Sequence, residues 1–445
     1  MKNSFLLVSS KIIEKLSIFI FLSLLARVSV EDLGEFNYNF SFLSIIFILF
    51  NFGGEFYSIK KVNEQDDNLL QLFILKTTVY SLFFVFFYLN NDLLILILSF
   101  SFYLDSIISL IRTKCYLEKK FRNDVVFSTI ERLIFIVLIV INVTFFENVL
   151  LFYIAFVISK IVYIIIFLIK NHNAYLYKSI KFKQLIKLFK ESFSYIFHSL
   201  LVVLFVQVDV LMIEEYLDIK EVAYYTSATR IFFASLIISE VLGKQYYPLI
   251  VKNFQDFKGS VNNIEIILLS IGFLISAFVL NFSDYIINIL FGNELHPSIV
   301  ILQILSSVIM IRYIMSVSSN IISASKFNKL KVYVSMLCLI LNVTLNYLVI
   351  PVYGIIGATL TTFLTEFILM LSYIYIRKVY CKCNFELFNA SIIFISILYF
   401  INLYLILFYS EIMTIEVRFV CLLLCTSIVG VVFKKRLKRF VDLIK

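Results

Sequence analysis

Apolar stretches of membrane-spanning length, separated by short polar loops, repeat along the whole chain. A helix needs about 20 apolar residues to cross the hydrocarbon core. Lipid cannot satisfy an open backbone, and the ten-residue alternating segments of a membrane barrel are absent, so the pattern predicts an all-α integral membrane protein. We predict about 14 transmembrane helices, at residues 4–30, 38–60, 69–90, 92–112, 125–145, 149–170, 193–213, 221–247, 263–283, 298–323, 331–350, 354–378, 387–409 and 414–433.

The composition excludes a water-soluble fold. Only 16% of the 445 residues are charged, whereas a soluble domain carries about 25%. The first apolar stretch is longer than the core of a cleaved signal peptide, so we expect it to remain as an anchor. With only 10 Gly and 3 Pro in the chain, most helices are expected to run unbroken, which argues against transporters built on unwound helices.

The loops alternate between basic and acidic. Lysines and arginines crowd the loops after predicted spans 4, 6, 8 and 10 and the C-terminal tail, while the intervening loops are acidic or neutral. The positive-inside rule therefore predicts that both termini are cytoplasmic. The basic surfaces are expected to contact anionic membrane lipids, and no nucleic acid is implied. Residues 178–191 alternate lysines with apolar residues and predict an amphipathic interfacial helix.

An internal match indicates a repeat. The segment INVTFFENV at 141–149 resembles LNVTLNYLV at 341–349. We therefore predict two six-helix lobes related by a pseudo-two-fold axis along the membrane normal, followed by two C-terminal helices. The predicted parts are an N-lobe at 1–170, a cytoplasmic amphipathic linker at 171–192, a C-lobe at 193–380, and helices 13 and 14 with a basic cytoplasmic tail at 381–445.

Five of the cations within predicted spans are candidates for a functional site. An ionisable side chain inside a membrane costs at least a few kcal/mol, so it usually faces a cavity or a partner. One hypothesis is a cationic cavity that binds an anion such as a phosphate, because arginine donates paired hydrogen bonds to phosphate. The alternative is a set of salt bridges between helices. The cations are Lys160, Arg230, Arg312, Arg27 and Lys76.

Four of the carboxylates within predicted spans are further candidates. They are interpreted as salt-bridge partners or as ion-coupling groups. Asp209 and Arg230 lie at similar depth on adjacent spans, so we predict that they pair. The carboxylates are Asp209, Asp105, Glu240 and Glu366.

Three segments resemble a known family. Residues 24–62 resemble the opening of Wzx-type polysaccharide flippases, with Arg27, then Gly34 and Phe36 in a short loop, then Gly53. Residues 208–231 and 341–367 resemble the family's later motifs. The superfamily with these motifs also includes peptidoglycan lipid flippases and multidrug exporters.

The resemblance implies a function. It implies a flippase in the bacterial cytoplasmic (inner) membrane that moves an undecaprenyl-diphosphate-linked oligosaccharide, an O-antigen or capsule repeat unit, to the outer leaflet by alternating access. A polysaccharide polymerase and chain-length proteins are candidate partners. No enzymatic activity, cofactor or metal is expected, since the C-x-C of Cys381 and Cys383 lacks a second ligand pair.

Two alternatives remain open at this point. A multidrug exporter of the same fold would have the same helices, but it would favour an apolar or acidic cavity. An O-antigen polymerase would have a similar composition, but it would carry a sizeable outward loop with basic residues, whereas the outward loops here are short and acidic.

Overall fold

The chain divides into two compact units, Met1–Leu211 and Met212–Lys445, called unit 1 and unit 2 below. The computed structural model describes residues 2–50, 67–89, 92–118, 120–170, 182–252, 258–383, 399, 401–404, 406 and 417–418. The division falls inside one long helix, Phe182–Tyr216, which is called α7 below. The finer lobe and linker boundaries expected from the sequence remain predictions.

Unit 1 is built from helices that overlap the first seven predicted apolar stretches. In chain order they are α1 (Lys2–Val28), α2 (Val30–Phe50), α3 (Asp67–Leu89), α4 (Leu93–Leu117), α5 (Phe121–Phe145), α6 (Val149–Lys170) and the first part of α7 (Phe182–Tyr216).

The core of unit 1 is a cluster of phenylalanine rings. Helix α1 packs on α5, and α6 packs on both α4 and α5. Phe21 lies at the centre, with its ring centroid 4.8 Å from Phe36 of α2 and 4.9 Å from Phe156 of α6. Phe135 and Phe152 complete the cluster, and all five side chains are buried. Edge-to-face contacts of this kind stabilise aromatic pairs beyond their burial alone.

Unit 2 is arranged around a central helix. Its elements are α8 (Ile219–Ser235), α9 (Ile237–Lys252), α10 (Lys258–Asn281), α11 (Ser283–Phe291), a 3₁₀ turn (Asn293–Leu295), α12 (Ser298–Ala324) and α13 (Asn328–Val379). Helix α12 packs against α8, α9, α10 and α13. Every residue from 301 to 311 is buried, as expected for a helix that is apolar on all sides.

Helix α13 is a hairpin of two helical arms. Its 52 residues would extend about 78 Å as one straight helix, more than twice the hydrocarbon core. The backbone breaks at Gly354, where φ is +59° and ψ is −147°, a region that only glycine occupies readily. Ser335 Oγ and Tyr373 OH, each 19 residues from Gly354, lie 2.7 Å apart. The first arm (328–353) and the second arm (355–379) are therefore antiparallel, as predicted for spans 11 and 12.

The all-helical membrane architecture is confirmed, but the number of spans is not. Among the described residues, six helices are long and apolar enough to cross a membrane, and a seventh is added if α10 and α11, which bend by 72°, form one span. The count of fourteen and the symmetry between the lobes remain predictions. Predicted spans 13 and 14 lie mostly outside the described residues.

One loop predicted from the sequence is wrong. Helix α2 begins at Val30, eight residues before the predicted start, so Gly34 and Phe36 lie inside a helix and not in a loop. Ser29 alone separates α1 from α2. Its hydroxyl accepts a hydrogen bond from the Asp32 backbone at 3.2 Å, and Glu31 and Asp32 lie in the first turn. Such a serine cap with acidic residues after it starts a helix.

Two connections also differ from a simple loop. Residues 182–192 of the predicted linker are helical and continuous with α7, while 171–181 lie outside the described residues. In unit 2, the predicted outward loop after span 9 contains α11 and the 3₁₀ turn.

Candidate functional site

Unit 1 contains a lysine held inside the helix bundle. The Lys160 ammonium, on α6, lies 2.6 Å from Asp105 Oδ2 and donates to the hydroxyl and the carbonyl oxygen of Ser101 at 2.8 and 3.2 Å, both residues being on α4. These contacts occupy the three donors of an ammonium group. The Lys160 side chain is only 5% exposed, whereas that of Asp105 is 48% exposed. The carboxylate is therefore the accessible member of this pair.

A cavity of about 240 Å³ adjoins Asp105 in unit 1. Lys76, on α3, lines it together with Asp105, and its ammonium donates to Ser106 O and Ser109 Oγ, both at 3.1 Å. Tyr80 and Tyr103 also line it, with stacked rings 4.3 Å apart. The structure thus brings the predicted residues Lys76, Asp105 and Lys160 into one polar cluster within an otherwise aromatic wall.

Unit 2 contains a second buried ion pair. The Arg312 guanidinium, on α12, donates to Glu366 on the second arm of α13. Glu366 is 2% exposed, while Arg312 is 27% exposed. Here the cation is the accessible member of the pair, the reverse of unit 1.

The two pairs occupy comparable positions with reversed polarity. Arg312 follows Asp105 by 207 residues, and Glu366 follows Lys160 by 206. One pair joins α4 to α6, and the other joins α12 to the second arm of α13. In the predicted six-helix lobes these are the fourth and sixth helices in each case. This spacing favours the predicted repeat, although it differs from the 200 residues of the motif match.

The remaining predicted residues lie elsewhere. Arg27 is exposed near the end of α1, and Arg230 is half-buried in α8. Asp209 is buried in α7, whereas Glu240 is exposed in α9. The expected pairing of Asp209 with Arg230 stays a prediction.

A third buried ion pair, also in unit 2, was not predicted from the sequence. Arg377, on the second arm of α13, donates with both terminal nitrogens to Glu265 of α10, Nη2 lying 3.1 Å from Oε2. Ser318 of α12 accepts a further bond at 3.4 Å. Arg377 is fully buried, and Glu265 is 4% exposed. A buried arginine can join three helices in this way because its planar fork offers five donors.

A charged network in unit 1 was also missed. Arg112 Nε, at the end of α4, lies 3.4 Å from Asp124 of α5. Arg112 and Arg132 both approach the Glu14 carboxylate of α1, at 4.0 and 3.7 Å. Tyr163 of α6 donates to Asp124 at 2.8 Å. This network joins four helices, α1, α4, α5 and α6, and was not predicted from the sequence.

The buried faces of the helices carried a signal for the missed pair. Tyr373 and Glu366 lie four and eleven residues before Arg377, on the same face of a helix. Glu265 begins a stripe with Leu268, Leu269 and Gly272 on the buried face of α10. When these positions are grouped by helix face, and are not treated as the ends of spans, they predict a buried ion pair between the two helices.

A match to residues 1–254, more than half of the chain, identifies the family. The model of a family described as polysaccharide biosynthesis protein matches residues 1–254. The chain belongs to this polysaccharide biosynthesis protein family. A second family model, MatE, matches residues 194–348. The resemblance found in the sequence is thus confirmed, whereas the curated proteins contain no match by sequence.

Solved structures of flippases and transporters share the fold of this polysaccharide biosynthesis family member. It is similar to the lipid II flippase MurJ in an inward closed conformation, with a TM-score of 0.78 and 17% identity over 98% of this chain and 100% of that one. An inward-facing multidrug resistance MATE transporter of the MOP superfamily gives 0.66 and 12%, over 81% and 93%.

A MOP superfamily transporter from Pyrococcus furiosus also matches. Its TM-score is 0.60, with 12% identity over 86% of this chain and 95% of that one. The matched family and structures are those of polysaccharide biosynthesis proteins, flippases and transporters and not of catalysts, in agreement with the prediction of no enzymatic activity.

Proposed function

We propose that the protein is a flippase that carries an undecaprenyl-diphosphate-linked oligosaccharide, an O-antigen or capsule repeat unit, from the cytoplasmic to the outer leaflet of the inner membrane. The polysaccharide family supports a glycan substrate, and the fold shared with a lipid II flippase supports movement across a bilayer. Alternating access between the two lobes is the proposed mechanism.

The accessible guanidinium of Arg312 is the observation that carries this proposal. It lies on the central helix of unit 2, anchored by Glu366 and still 27% exposed. The guanidinium group is a rigid planar fork of donors that matches phosphate oxygens. In an apolar bundle such a group neutralises a diphosphate that lipid could not accommodate.

The role proposed for Lys160 differs from that of Arg312. Its donors are taken by Asp105 and Ser101, so a phosphate oxygen can bind it only by displacing one of these two partners. The membrane potential also favours outward movement of the doubly charged diphosphate. This contribution is about 4–5 kcal/mol at 100 mV, provided that the protein's cations do not move with the substrate.

Asp105 supports a second candidate function, export of cationic drugs. Its carboxylate is 48% exposed beside an aromatic cavity, which suits an organic cation. The MatE match and the likeness to multidrug transporters favour the same alternative.

Reconstitution separates the two functions. In proteoliposomes that contain a lipid-diphosphate-linked oligosaccharide, the flippase proposal predicts that the glycan becomes accessible to a membrane-impermeant hydrolase in a protein-dependent manner. Efflux of a cationic dye without glycan movement would instead establish the drug exporter. A deletion strain should accumulate lipid-linked repeat units on the cytoplasmic leaflet.

An exchange of charges tests whether Lys160 acts through its pair. We expect Lys160→Asp or Asp105→Lys alone to reduce glycan movement about 10-fold or more, because each leaves a like-charged pair inside the membrane. The double exchange should recover most of the activity if the pair acts as a unit. Initial rates in proteoliposomes, normalised to folded protein, provide the measurement. An exchange that recovers nothing would show that Lys160 itself contacts the substrate.

A further inference from the structure

The two arms of the α13 hairpin leave a groove between them, far from Gly354. Its volume is about 430 Å³, and its lining includes Tyr333 and Val334 of the first arm, Leu371, Tyr375 and Ile376 of the second, and Tyr380 just beyond it. Tyr333 and Tyr375 are 64% and 60% exposed. The groove is therefore apolar, aromatic and open to the surroundings of the protein.

Four lysines flank this groove in the chain. Lys326 lies at one end, its ammonium 5.3 Å from the ring centre of Phe327, which in turn contacts Tyr380 at 5.4 Å. The other three are Lys329, Lys378 and Lys382, and all four are exposed. Within the described part of the chain, none of them takes part in an ion pair. Four exposed positive charges thus flank an apolar groove in the chain.

We propose that this groove binds one anionic glycerophospholipid. The acyl chains would lie along the tyrosine-lined walls, and the lysines would bind the phosphate. The charge pattern predicts that this end of α13 is cytoplasmic, where anionic lipids attract basic segments. Basic pockets between transmembrane helices on that side recognise such headgroups, and tyrosines sit at the same depth. The site does not depend on which substrate the protein transports.

The protein's own next helix is a poorer occupant. Predicted span 13, at 387–409, follows directly and is apolar enough to fill the groove, but it contains no Asp or Glu, and Glu386 just before it supplies a single negative charge. It would therefore leave most of the positive charge of the four lysines unbalanced. A phospholipid supplies both the apolar chains and the negative charge.

Lipid retention measures this site. The intact protein, released into the gas phase from detergent, should retain phosphatidylglycerol about tenfold more than phosphatidylcholine with the same acyl chains. The variant Lys326→Gln/Lys329→Gln/Lys378→Gln should lose that preference. The matched variant Lys114→Gln/Lys120→Gln/Arg122→Gln, which removes three cations from unit 1, should keep it. Equal retention of the two lipids by the unaltered protein, or an equal loss in both variants, overturns the proposal.

A crosslink identifies the occupant directly. With p-benzoylphenylalanine in place of Tyr375, irradiation in native membranes should attach phospholipid to the second arm of α13, as shown by the mass of the modified peptide. Attachment to residues 387–409 would mean that the chain fills its own groove, and the lipid site would be rejected.

Discussion

Arg312→Gln is expected to reduce glycan movement about 10- to 100-fold, because a charge-assisted hydrogen bond to phosphate contributes about 1.5–3 kcal/mol. Arg312→Lys should be intermediate, since lysine keeps the charge but loses the paired donors. Initial rates in proteoliposomes, corrected for the amount of folded protein, measure the effect.

The double variant Arg312→Gln/Glu366→Gln provides the control. The single substitution leaves Glu366, which is 2% exposed, as a buried carboxylate without its arginine, so part of the loss could arise from instability. The double variant removes that charge and should restore the unfolding temperature while transport stays low. Transport at the unaltered rate in the double variant would show that Arg312 serves only to neutralise Glu366.

Much of the fold could be predicted because lipid allows so few alternatives. Apolar length alone placed α6 at 149–170, and it located both arms of α13 to within a few residues. The start of α2 was missed because the polar residues at 31–39 resemble a loop. In the structure Asn37, Asn39 and Ser41 are buried, and Asn37 donates to Leu33 O at 2.9 Å. Polarity that is satisfied within a helix cannot be distinguished from loop polarity by hydropathy.

The internal motif match shows the same difficulty. Asn142 closes the turn after α5, donating to Asn148 O at 2.8 Å. Asn342 lies buried within the first arm of α13, where it accepts a bond from Asn346 at 3.3 Å. The two matched asparagines therefore have different structural roles. The two ion pairs share no sequence motif, but their residues are separated by nearly the same number of positions. Contacts between helices depend on three-dimensional geometry that a comparison of sequences does not contain.

The sequence predicted which charged residues form the candidate site, but it did not predict which of them contact one another. Hydropathy marks Lys160 and Arg312 because a charge is costly in lipid. It cannot reveal that Lys160 is enclosed by Asp105 and Ser101 while Arg312 remains partly exposed, since this depends on side-chain direction across helices. Arg377 escaped notice because it lies two residues from the helix end, where arginine ordinarily extends to water.

Arg377→Met should lower the free energy of unfolding by about 3–5 kcal/mol, because it leaves the Glu265 carboxylate buried without its partner. Arg377 is fully buried and joins α10, α12 and α13, so its loss separates the helices that surround the centre of unit 2. The unfolding temperature of the purified protein in detergent, followed by a thiol-reactive dye, should fall sharply.

Replacing both partners distinguishes a buried charge from lost packing. The double variant Arg377→Met/Glu265→Leu should recover most of the stability, since apolar side chains of similar volume often replace a buried ion pair without loss. Lys378→Met, at the exposed neighbouring position, should leave the unfolding temperature nearly unchanged. If the double variant is as unstable as Arg377→Met, then the hydrogen bonds from the guanidinium, including that to Ser318, stabilise unit 2 beyond charge balance. Because neither residue is assigned to substrate, the rate of glycan movement per folded molecule should remain unchanged in the double variant, in contrast to Arg312→Gln/Glu366→Gln.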